Sequence, residues 1–350
     1  MIGKRNRPVS KGIYFLSLFA ALLLVGFHAD VFSETRSIDP GETFQYQGQV
    51  KCNACAPCPE CPDVADAGAA SYGPAGLQPE VVCSKTVSRV GNAQAVVNST
   101  VPGQTVCMEP GTYNFNVAFY PRPGVHIYCK PGAKLVFDGG DQEGVRFNTN
   151  VSDAILEGCE ITGGWDGVKV TGDSNIVRNN YIHGNRYNGI LITAASQNII
   201  EGNRIERNGT RCFDKAWGGD SPRHCHDIYL SNPKGYCDNM SGNRVLNNYL
   251  GPSTGAGVNF NGEPCPGYYI EGTIVEGNKF VDVNIGIALW HGTRYTVIKN
   301  NSFSIQSPPA SNMVDTLKVA ISVWGGAAKE PIMSGNTFRL KSGYREFSRD

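Results

Sequence analysis

The sequence of 350 residues predicts an all-β solenoid from residue 81 to residue 350, in which short strands wind into stacked coils. Three observations predict this fold class. A turn phrase containing asparagine recurs along the chain, five-residue runs alternate apolar with polar residues, and no long run places apolar residues at helical spacing. The 42 glycines exceed ordinary usage, which indicates that turns are frequent.

The recurring phrase joins a Gly-Asn or Asn-Asn turn to a following aliphatic or aromatic residue. Its copies lie at 178–182, 201–205, 241–245, 276–280, 299–303 and 334–338, after an early copy at 158–161. The step from Asn180 to Asn203 is 23 residues, and placing Asn243 as the next copy predicts steps of 40 residues before it and 35 after it. The repeated asparagine suits a left-handed turn and could bond to its copy in the next coil. Because one repeat cannot bury its own apolar face, the repetition predicts that coils stack.

A further strand in each coil alternates strictly between two faces. We predict that one set of side chains points inward: Val168, Val170, Ile190, Ile192, Ile228, Leu230, Val258, Phe260, Ile287, Leu289, Ile321 and Val323. The other side chains are predicted to form two exposed columns, Lys169, Leu191, Tyr229, Asn259, Ala288 and Ser322 in one and Thr171, Thr193, Ser231, Asn261, Trp290 and Trp324 in the other. Any chemistry has to come from these outward positions, because the inward positions fill the core.

The first 80 residues predict export. Basic residues precede an apolar run at 13–27, so residues 1–33 are predicted to be a cleaved signal peptide or an uncleaved membrane anchor. Residues 34–80 predict a flexible stalk, in which cysteines recur every third residue among prolines at Cys52, Cys55, Cys58 and Cys61. This spacing favours local or interchain disulfides over a zinc or iron–sulfur site, because an extended chain spreads the sulfur atoms apart. The predicted location is periplasmic, cell-surface or extracellular.

The charge balance limits the classes of binding partner, and the cysteine content indicates disulfides. The 31 basic and 31 acidic side chains cancel, which argues against nucleic acid as a partner and leaves the membrane to the N-terminal segment alone. Twelve cysteines beside an export signal favour disulfides. For the eight cysteines of the body we predict the pairs Cys83–Cys107, Cys129–Cys159, Cys212–Cys225 and Cys237–Cys265.

The turn phrase, with three short strands per coil, resembles the repeat of right-handed parallel β-helix proteins. The segments 101–106 and 109–113 resemble the opening of pectate-lyase-like and chondroitinase-B-like proteins. The resemblance covers roughly residues 90 to 341 and implies a right-handed parallel β-helix solenoid. Proteins of this kind include polysaccharide lyases, mannuronan C5-epimerases, glycoside hydrolases and adhesins, so the resemblance alone leaves the function open.

The sequence predicts one acid–base cluster, in which stacking brings Lys169 and Tyr229 close to Arg223, His224 and His226. In the chemistry of uronates, Arg223 or Lys169 would stabilise charge on the substrate carboxylate. His226 or His224 would take the C5 proton, and Tyr229 would donate a proton. The segment 221–224 with the following aspartate resembles the Asp-Pro-His-Asp signature of mannuronan epimerases but lacks its first aspartate.

Six further residues are predicted to hold a sugar chain, because aromatic rings cover sugar C–H faces and polar side chains pair with hydroxyls: Asp166, Tyr187, Asn259, Asn261, Trp290 and Trp324. Tyr187 is also an alternative proton donor. A calcium ion could bind at Asp138, Asp141 and Glu143, and another divalent ion could bind at His224 and His226 with Asp227 or Asp220. Two functions remain open: a lyase or C5-epimerase acting on an acidic polysaccharide, and a non-catalytic surface module that binds a glycan or a protein.

Overall fold

The structure is a computed structural model that describes residues 81–88, 90–138, 142–211, 225–233, 237–262, 267–309, 318–324, 329 and 331–349. The predicted signal segment and stalk lie outside the described residues. The described strands form three long parallel sheets and one short sheet, which we name sheets A to D. The helix Val90–Asn98 follows the first strand, Lys85–Val87, and precedes the other described strands.

Sheet A contains Lys85–Val87, Thr105–Met108, His126–Cys129, Ile155–Glu157, Ile176–Arg178, Ile199–Glu201, Arg244–Leu246, Ile274–Glu276, Val297–Lys299 and Ile332–Ser334. Sheet B contains Gly111–Phe115, Ala133–Phe137, Glu160–Thr162, Tyr181–His183, Arg204–Glu206, Tyr249–Leu250, Lys279–Val281, Ser302–Ile305 and Thr337–Leu340. Sheet C contains Val145–Phe147, Val168–Val170, Ile190–Thr193, Ile228–Ser231, Ser253–Asn261, Val283–Leu289, Val319–Val323 and Arg345–Arg349. Sheet D contains Met240–Ser241, Ile270–Glu271 and Thr293–Arg294.

Each complete coil passes through sheets A, B and C in that order. One coil, for example, runs through Ile176–Arg178, Tyr181–His183 and Ile190–Thr193. Every strand pairs in parallel with the equivalent strand of the next coil, as Ile190 does with Val168 and Ile228. The predicted solenoid with three short strands per coil is therefore confirmed.

The core lies between the three long sheets. All twelve predicted inward side chains of sheet C are buried, with at most 1% of their surface exposed. The rings of Phe280, Phe303 and Phe338 stack from coil to coil, with centroid distances of 4.5 and 5.1 Å. Each fully buried aliphatic or aromatic side chain contributes about 1.5–3 kcal/mol relative to its exposed state, so these rungs are the main favourable term of folding.

The helix Val90–Asn98 packs on the first coil. Its residues Ala93 and Val97 are fully buried, and both belong to the main core cluster. The helix ends where the hydroxyls of Ser99 and Thr100 donate to the carbonyl of Val96, at 2.9 and 2.7 Å. The apolar end of the solenoid is therefore shielded from water on this side.

Buried asparagines form a ladder along the corner between sheets A and B. In each step Nδ2 of one residue donates to Oδ1 of the next at 3.0 Å, and the members are Asn180, Asn203, Asn248, Asn278, Asn301 and Asn336. The same amides also donate to backbone carbonyls, so their polar atoms are satisfied although they are buried. The predicted bonding of asparagines from coil to coil is confirmed.

The predicted place of Asn243 in this ladder is wrong. Asn203 bonds to Asn248 instead, so the two sequence steps are 45 and 30 residues. Asn243 bonds to Asn198 in a second ladder, at the corner that leads into sheet A. Both asparagines directly precede a short strand, Arg244–Leu246 and Tyr249–Leu250, so the local pattern does not distinguish the two corners.

Glycine alternates with asparagine at the position before the first ladder. The backbone is left-handed there in every coil, at residues 158, 179, 202, 247, 277, 300 and 335. A Cβ atom on Gly202 would lie 2.6 Å from Oδ1 of Asn179, and one on Gly277 would lie 2.3 Å from Oδ1 of Asn247. The asparagine of one coil thus fills the space that a side chain would need in the next coil, which explains the recurring Gly-Asn phrase.

Disulfides join neighbouring coils. The predicted pairs Cys83–Cys107 and Cys129–Cys159 are confirmed, with Cα–Cα distances of 5.5 and 4.8 Å. Cys225 and Cys237 are also disulfide-bonded, and their expected partners Cys212 and Cys265 lie outside the described residues. Within the part of the chain that the structure describes, no helix has the length and apolar character needed to cross a membrane.

Candidate functional site

Ionisable and aromatic residues gather where four successive coils turn from sheet B into sheet C. We name this group the corner cluster, and it consists of Glu143, Asp166, Lys169, Tyr187, His226 and Tyr229. Backbone hydrogen bonds hold the coils together at this corner, from Gly167 N to Asn188 O at 3.0 Å and from Gly189 N to His226 O at 3.0 Å. Residues that are up to 86 positions apart in the sequence are thereby brought to one corner of the fold.

The cation of the corner cluster is paired with a carboxylate. Nζ of Lys169 lies 2.7 Å from Oε1 of Glu143, and Arg146 lies 3.5 Å from the other carboxylate oxygen. Burial raises the pKa of Glu143, but the hydrogen bond and charge of Lys169 outweigh burial, so the pKa falls below its ordinary value. Glu143 is therefore an ionised partner of Lys169, a role that its predicted place in a calcium site did not suggest.

Asp166 is buried directly beside this pair. Its Oδ1 accepts hydrogen bonds from the backbone N and from Nδ2 of Asn188, at 3.2 and 2.8 Å. Burial raises the pKa of Asp166 to about 6, although the Asn188 hydrogen bonds and the charge of Lys169 act in the opposite direction. This carboxyl group therefore changes its charge close to neutral pH.

Tyr187 lies between Asp166 and Tyr229. Its ring stacks on Trp165 with a centroid distance of 4.9 Å. Burial raises the pKa of Tyr187, and the charges of Asp166 and Tyr229 raise it further. The phenol of Tyr187 consequently stays protonated at neutral pH, as a proton donor requires.

The ring of His226 is fixed by the backbone of the next coil. Its Nδ1 accepts a hydrogen bond from the backbone N–H of Ala256 at 3.0 Å, and the backbone N–H of His226 donates to Oδ1 of Asn188 at 3.0 Å. Because Nδ1 is an acceptor, the proton of the neutral imidazole lies on Nε2. The hydrogen of the neutral His226 ring is thus placed on the nitrogen opposite the Ala256 backbone.

Tyr229 and two asparagines continue the site along sheet C. The Tyr229 ring lies 5.1 Å from that of His226, and Nδ2 of Asn261 donates to its hydroxyl oxygen at 3.2 Å. Oδ1 of Asn259 has no hydrogen-bond partner among the residues that the structure describes. A buried acceptor without a partner loses free energy, and a ligand hydroxyl would restore the missing bond.

The predicted outward columns have the expected register but not the expected exposure. Lys169, Leu191, Tyr229, Asn259, Ala288 and Ser322 align across sheet C as predicted. However, Tyr229, Asn259, Ala288 and Ser322 are only 7%, 4%, 1% and 2% exposed. Ala288 is buried because it packs into a second apolar cluster with Ala256, Ile285 and Val319.

The two predicted tryptophans border this second apolar cluster. Trp290 and Trp324 are half-buried and pack against it, with their ring centroids 4.5 Å apart. The indole Nε1 of Trp324 has no hydrogen-bond partner within the described part of the chain. The tryptophans therefore lie on the same face as the corner cluster but in later coils.

The other predicted residues have different outcomes. Arg223 and His224 lie outside the described residues, as do Asp141 and Asp220 of the predicted metal sites. Asp227 is fully buried, and it occupies the sheet position at which neighbouring coils have Gly189 and Gly257. Burial raises the pKa of Asp227 well above its ordinary value, and no backbone N–H or side-chain cation in the described part of the chain compensates it in the way that Asn188 and Lys169 compensate Asp166. Among the described residues, no group of three or more histidine, cysteine or carboxylate side chains could hold a metal ion.

The fold and the site define a class of protein, a parallel β-helix with a polar cluster on one outer face. Comparison with known proteins agrees, because residues 132–304 match the family model described as "Right handed beta helix region". The described part of the chain therefore has the right-handed parallel β-helix fold. A comparison with curated proteins finds no match.

Solved structures show the same fold at low sequence identity. The alginate lyase from Paenibacillus sp. str. FPU-7 has a TM-score of 0.53 at 15% identity, over 75% of this chain and 100% of that chain. Pectate lyase Pel9A has a TM-score of 0.50 at 13% identity, over 76% of this chain and 75% of that chain. The ORF18 protein of Geobacillus virus E2 has a TM-score of 0.54 at 16% identity, over 73% of this chain and 55% of that chain. At these identities the similarity establishes the fold.

Proposed function

We propose that this protein is an exported enzyme that acts on an acidic polysaccharide by removing the C5 proton of a uronate, as a lyase or a C5-epimerase. The observation that carries the proposal is the corner cluster, which gathers two tyrosines, a histidine and a lysine on one corner of the β-helix. The alginate and pectate lyases of the same fold support the choice of substrate class. The disulfides fit an exported protein.

We propose catalytic roles that differ from those expected from the sequence, and the hydrogen bonds of the corner cluster support them. His226 accepts at Nδ1, so it serves as a donor to the uronate carboxylate at Nε2, together with the cation Lys169. We assign the base to Tyr229, because its hydroxyl oxygen accepts a hydrogen bond from Nδ2 of Asn261 and its ring lies 5.1 Å from that of His226. Tyr187 is the acid, because its raised pKa keeps it protonated.

The lyase reaction is a β-elimination across C4 and C5 of the uronate. The Tyr229 phenolate takes the C5 proton, and the electron pair of that C–H bond forms the C4–C5 double bond. The C4–O4 bond breaks, and the leaving oxygen takes the proton of Tyr187. In the epimerase variant the C4–O4 bond stays intact and Tyr187 returns a proton to the opposite face of C5.

The test uses the purified chain with alginate, polygalacturonate and glycosaminoglycans. Unsaturated uronate is followed by its absorbance, and C5 configuration by NMR. Tyr229→Phe should lower the rate by about 100-fold or more, because it removes the base. Tyr181→Phe is the matched control, since this tyrosine lies on sheet B, where its hydroxyl bonds to Glu206 at 3.0 Å, and the rate should stay within about twofold.

Absence of both products with every polymer would exclude the enzyme. A second function, glycan binding without catalysis, would then remain. It is favoured by a specific observation, namely that Tyr229 is only 7% exposed while Asn259 and Trp324 have polar atoms without partners among the described residues. Such a module would bind the polymers but leave them unchanged.

A further inference from the structure

A second group of aromatic side chains lies apart from the corner cluster, at the turns that lead from sheet C back to sheet A. Tyr268 and Tyr295 are 41% and 63% exposed, which is high for such large side chains. Sheet D fixes these turns, because Ile270–Glu271 pairs with Thr293–Arg294. The two exposed rings are thus held on neighbouring coils by a regular sheet.

Arg294 lies over the ring of Tyr269 and near the ring of Tyr295. The Cζ atom of Arg294 lies 3.6 Å from the ring centroid of Tyr269 and 5.6 Å from that of Tyr295. Its Nε donates to Oε2 of Glu271 at 2.7 Å, which fixes the guanidinium plane. No hydrogen bond within the described part of the chain uses its Nη atoms, so the outer edge of the guanidinium can still bind a carboxylate or a hydroxyl.

The backbone of Tyr295 is in an unfavourable conformation. Its φ of 55° lies in the left-handed region, which bulky residues rarely adopt. The equivalent corner positions in earlier coils hold Ser174, Gln197, Gly242 and Gly272, all smaller or more flexible residues. Packing does not explain a tyrosine here, because its side chain is mostly exposed. Backbone strain of this kind is concentrated at functional positions.

We propose that Tyr268, Tyr295 and Arg294 form a second binding site, which holds an acidic polysaccharide away from the corner cluster. The tyrosine rings stack on the C–H faces of sugar rings, and the guanidinium edge pairs with a uronate carboxylate. Only the choice of polymer class rests on the proposed function, since the site itself needs no catalysis.

The same turn connects this site to the face of sheet C. Thr293 of sheet D donates its hydroxyl hydrogen to the carbonyl of Trp290 at 2.7 Å, and Trp290 directly follows the sheet C strand Val283–Leu289. A long polymer that touches both places is retained more strongly than a short oligomer, because the second contact is intramolecular.

The test measures binding of alginate and polygalacturonate to the full chain by affinity electrophoresis, with amylose as the neutral polymer. Tyr295→Asn should weaken binding of the acidic polymers by about 3- to 10-fold, the loss expected for one aromatic contact. The same change should raise the melting temperature by about 1–3 °C, because asparagine tolerates a left-handed backbone. A tyrosine retained only for stability would give a lower melting temperature instead.

Two further variants complete the test. Arg294→Gln should weaken binding of the acidic polymers, and Gln197→Asn, at the same corner position of an earlier coil, should leave binding unchanged. The inference is overturned if the wild type binds neither acidic polymer, or if Tyr295→Asn and Arg294→Gln both bind normally. Weakened binding in the two variants of a protein that forms no product would refute the proposed enzyme but support this site.

Discussion

The outer face of sheet C differs between its earlier and later coils, although one register runs through both. In the earlier coils, Lys169 and Leu191 are partly exposed, and Lys169 forms an ion pair with Glu143. In the later coils, Ala288 occupies the same column but is 1% exposed, within the second apolar cluster. Register decides which way a side chain points, whereas packing on the sheet decides whether that direction reaches water.

The two regions also differ in the polar groups that they bury. The earlier coils bury the Asp166 carboxyl group and satisfy it with Asn188, which fixes the site at some cost in stability. The later coils bury the second apolar cluster and, beside it, uncharged polar side chains such as Asn259 and Ser322. The corner cluster is therefore the region in which stability should depend on charge.

The largest effect is expected from a charge placed in the later coils. Ala288→Asp should lower the free energy of unfolding by about 3–5 kcal/mol, because it buries an unpaired carboxylate. Leu191→Asp is the matched change in the same column of the earlier coils, where it should cost about 1–2 kcal/mol. Urea denaturation measures both, and equal losses would mean that the two regions do not differ in burial.

The next effect is a pH dependence that arises at Asp166. Its folded pKa of about 6 exceeds the unfolded value, so the contribution of Asp166 to the unfolding free energy is fully present below about pH 4 and is lost as pH rises through 6. Asp166→Asn keeps the oxygen that accepts from Asn188 but removes the charge, and it should add about 1–3 kcal/mol at pH 8. Thermal melts between pH 4 and 8 check this prediction.

The matched control for Asp166 is an exposed aspartate. Asp173 accepts from the backbone N of Ser196 at 2.7 Å, so Asp173→Asn also keeps an accepting oxygen. Because this aspartate is exposed, the substitution should change the unfolding free energy by less than about 0.5 kcal/mol at pH 8. If both variants have the same pH profile, the dependence comes from a group other than Asp166.

The smallest effects are expected when the lysine of an ion pair is removed, and two ion pairs can be compared. Lys169→Gln leaves Glu143, which is 16% exposed, without its closest cation and should cost about 1–2 kcal/mol. Lys299→Gln removes a more exposed pair with Glu276 and, after allowance for solvent screening, should cost only about 0–0.5 kcal/mol. A larger loss for Lys299→Gln, measured by urea denaturation, would contradict the special role of the corner cluster.

Much of the site was visible in the sequence as outward positions of successive strands. Lys169, Tyr187, His226 and Tyr229 were predicted to meet, and the structure places them at one corner. Glu143 was not recognised as the partner of Lys169, because its coil has no recognisable turn phrase. Its position one residue before Gly144, in register with Asp166 before Gly167, is the signal that could have revealed it.

The sequence by itself determined the coil, the inward rungs and two disulfides, because alternation along a strand and repetition along the chain are local properties. Only the tertiary structure decided that Asn248, not Asn243, continues the first ladder, since two corners use the same short pattern. It also decided that Ala288 is buried and that His226 accepts at Nδ1. These facts depend on residues distant in sequence that pack against each position, and no local pattern records such neighbours.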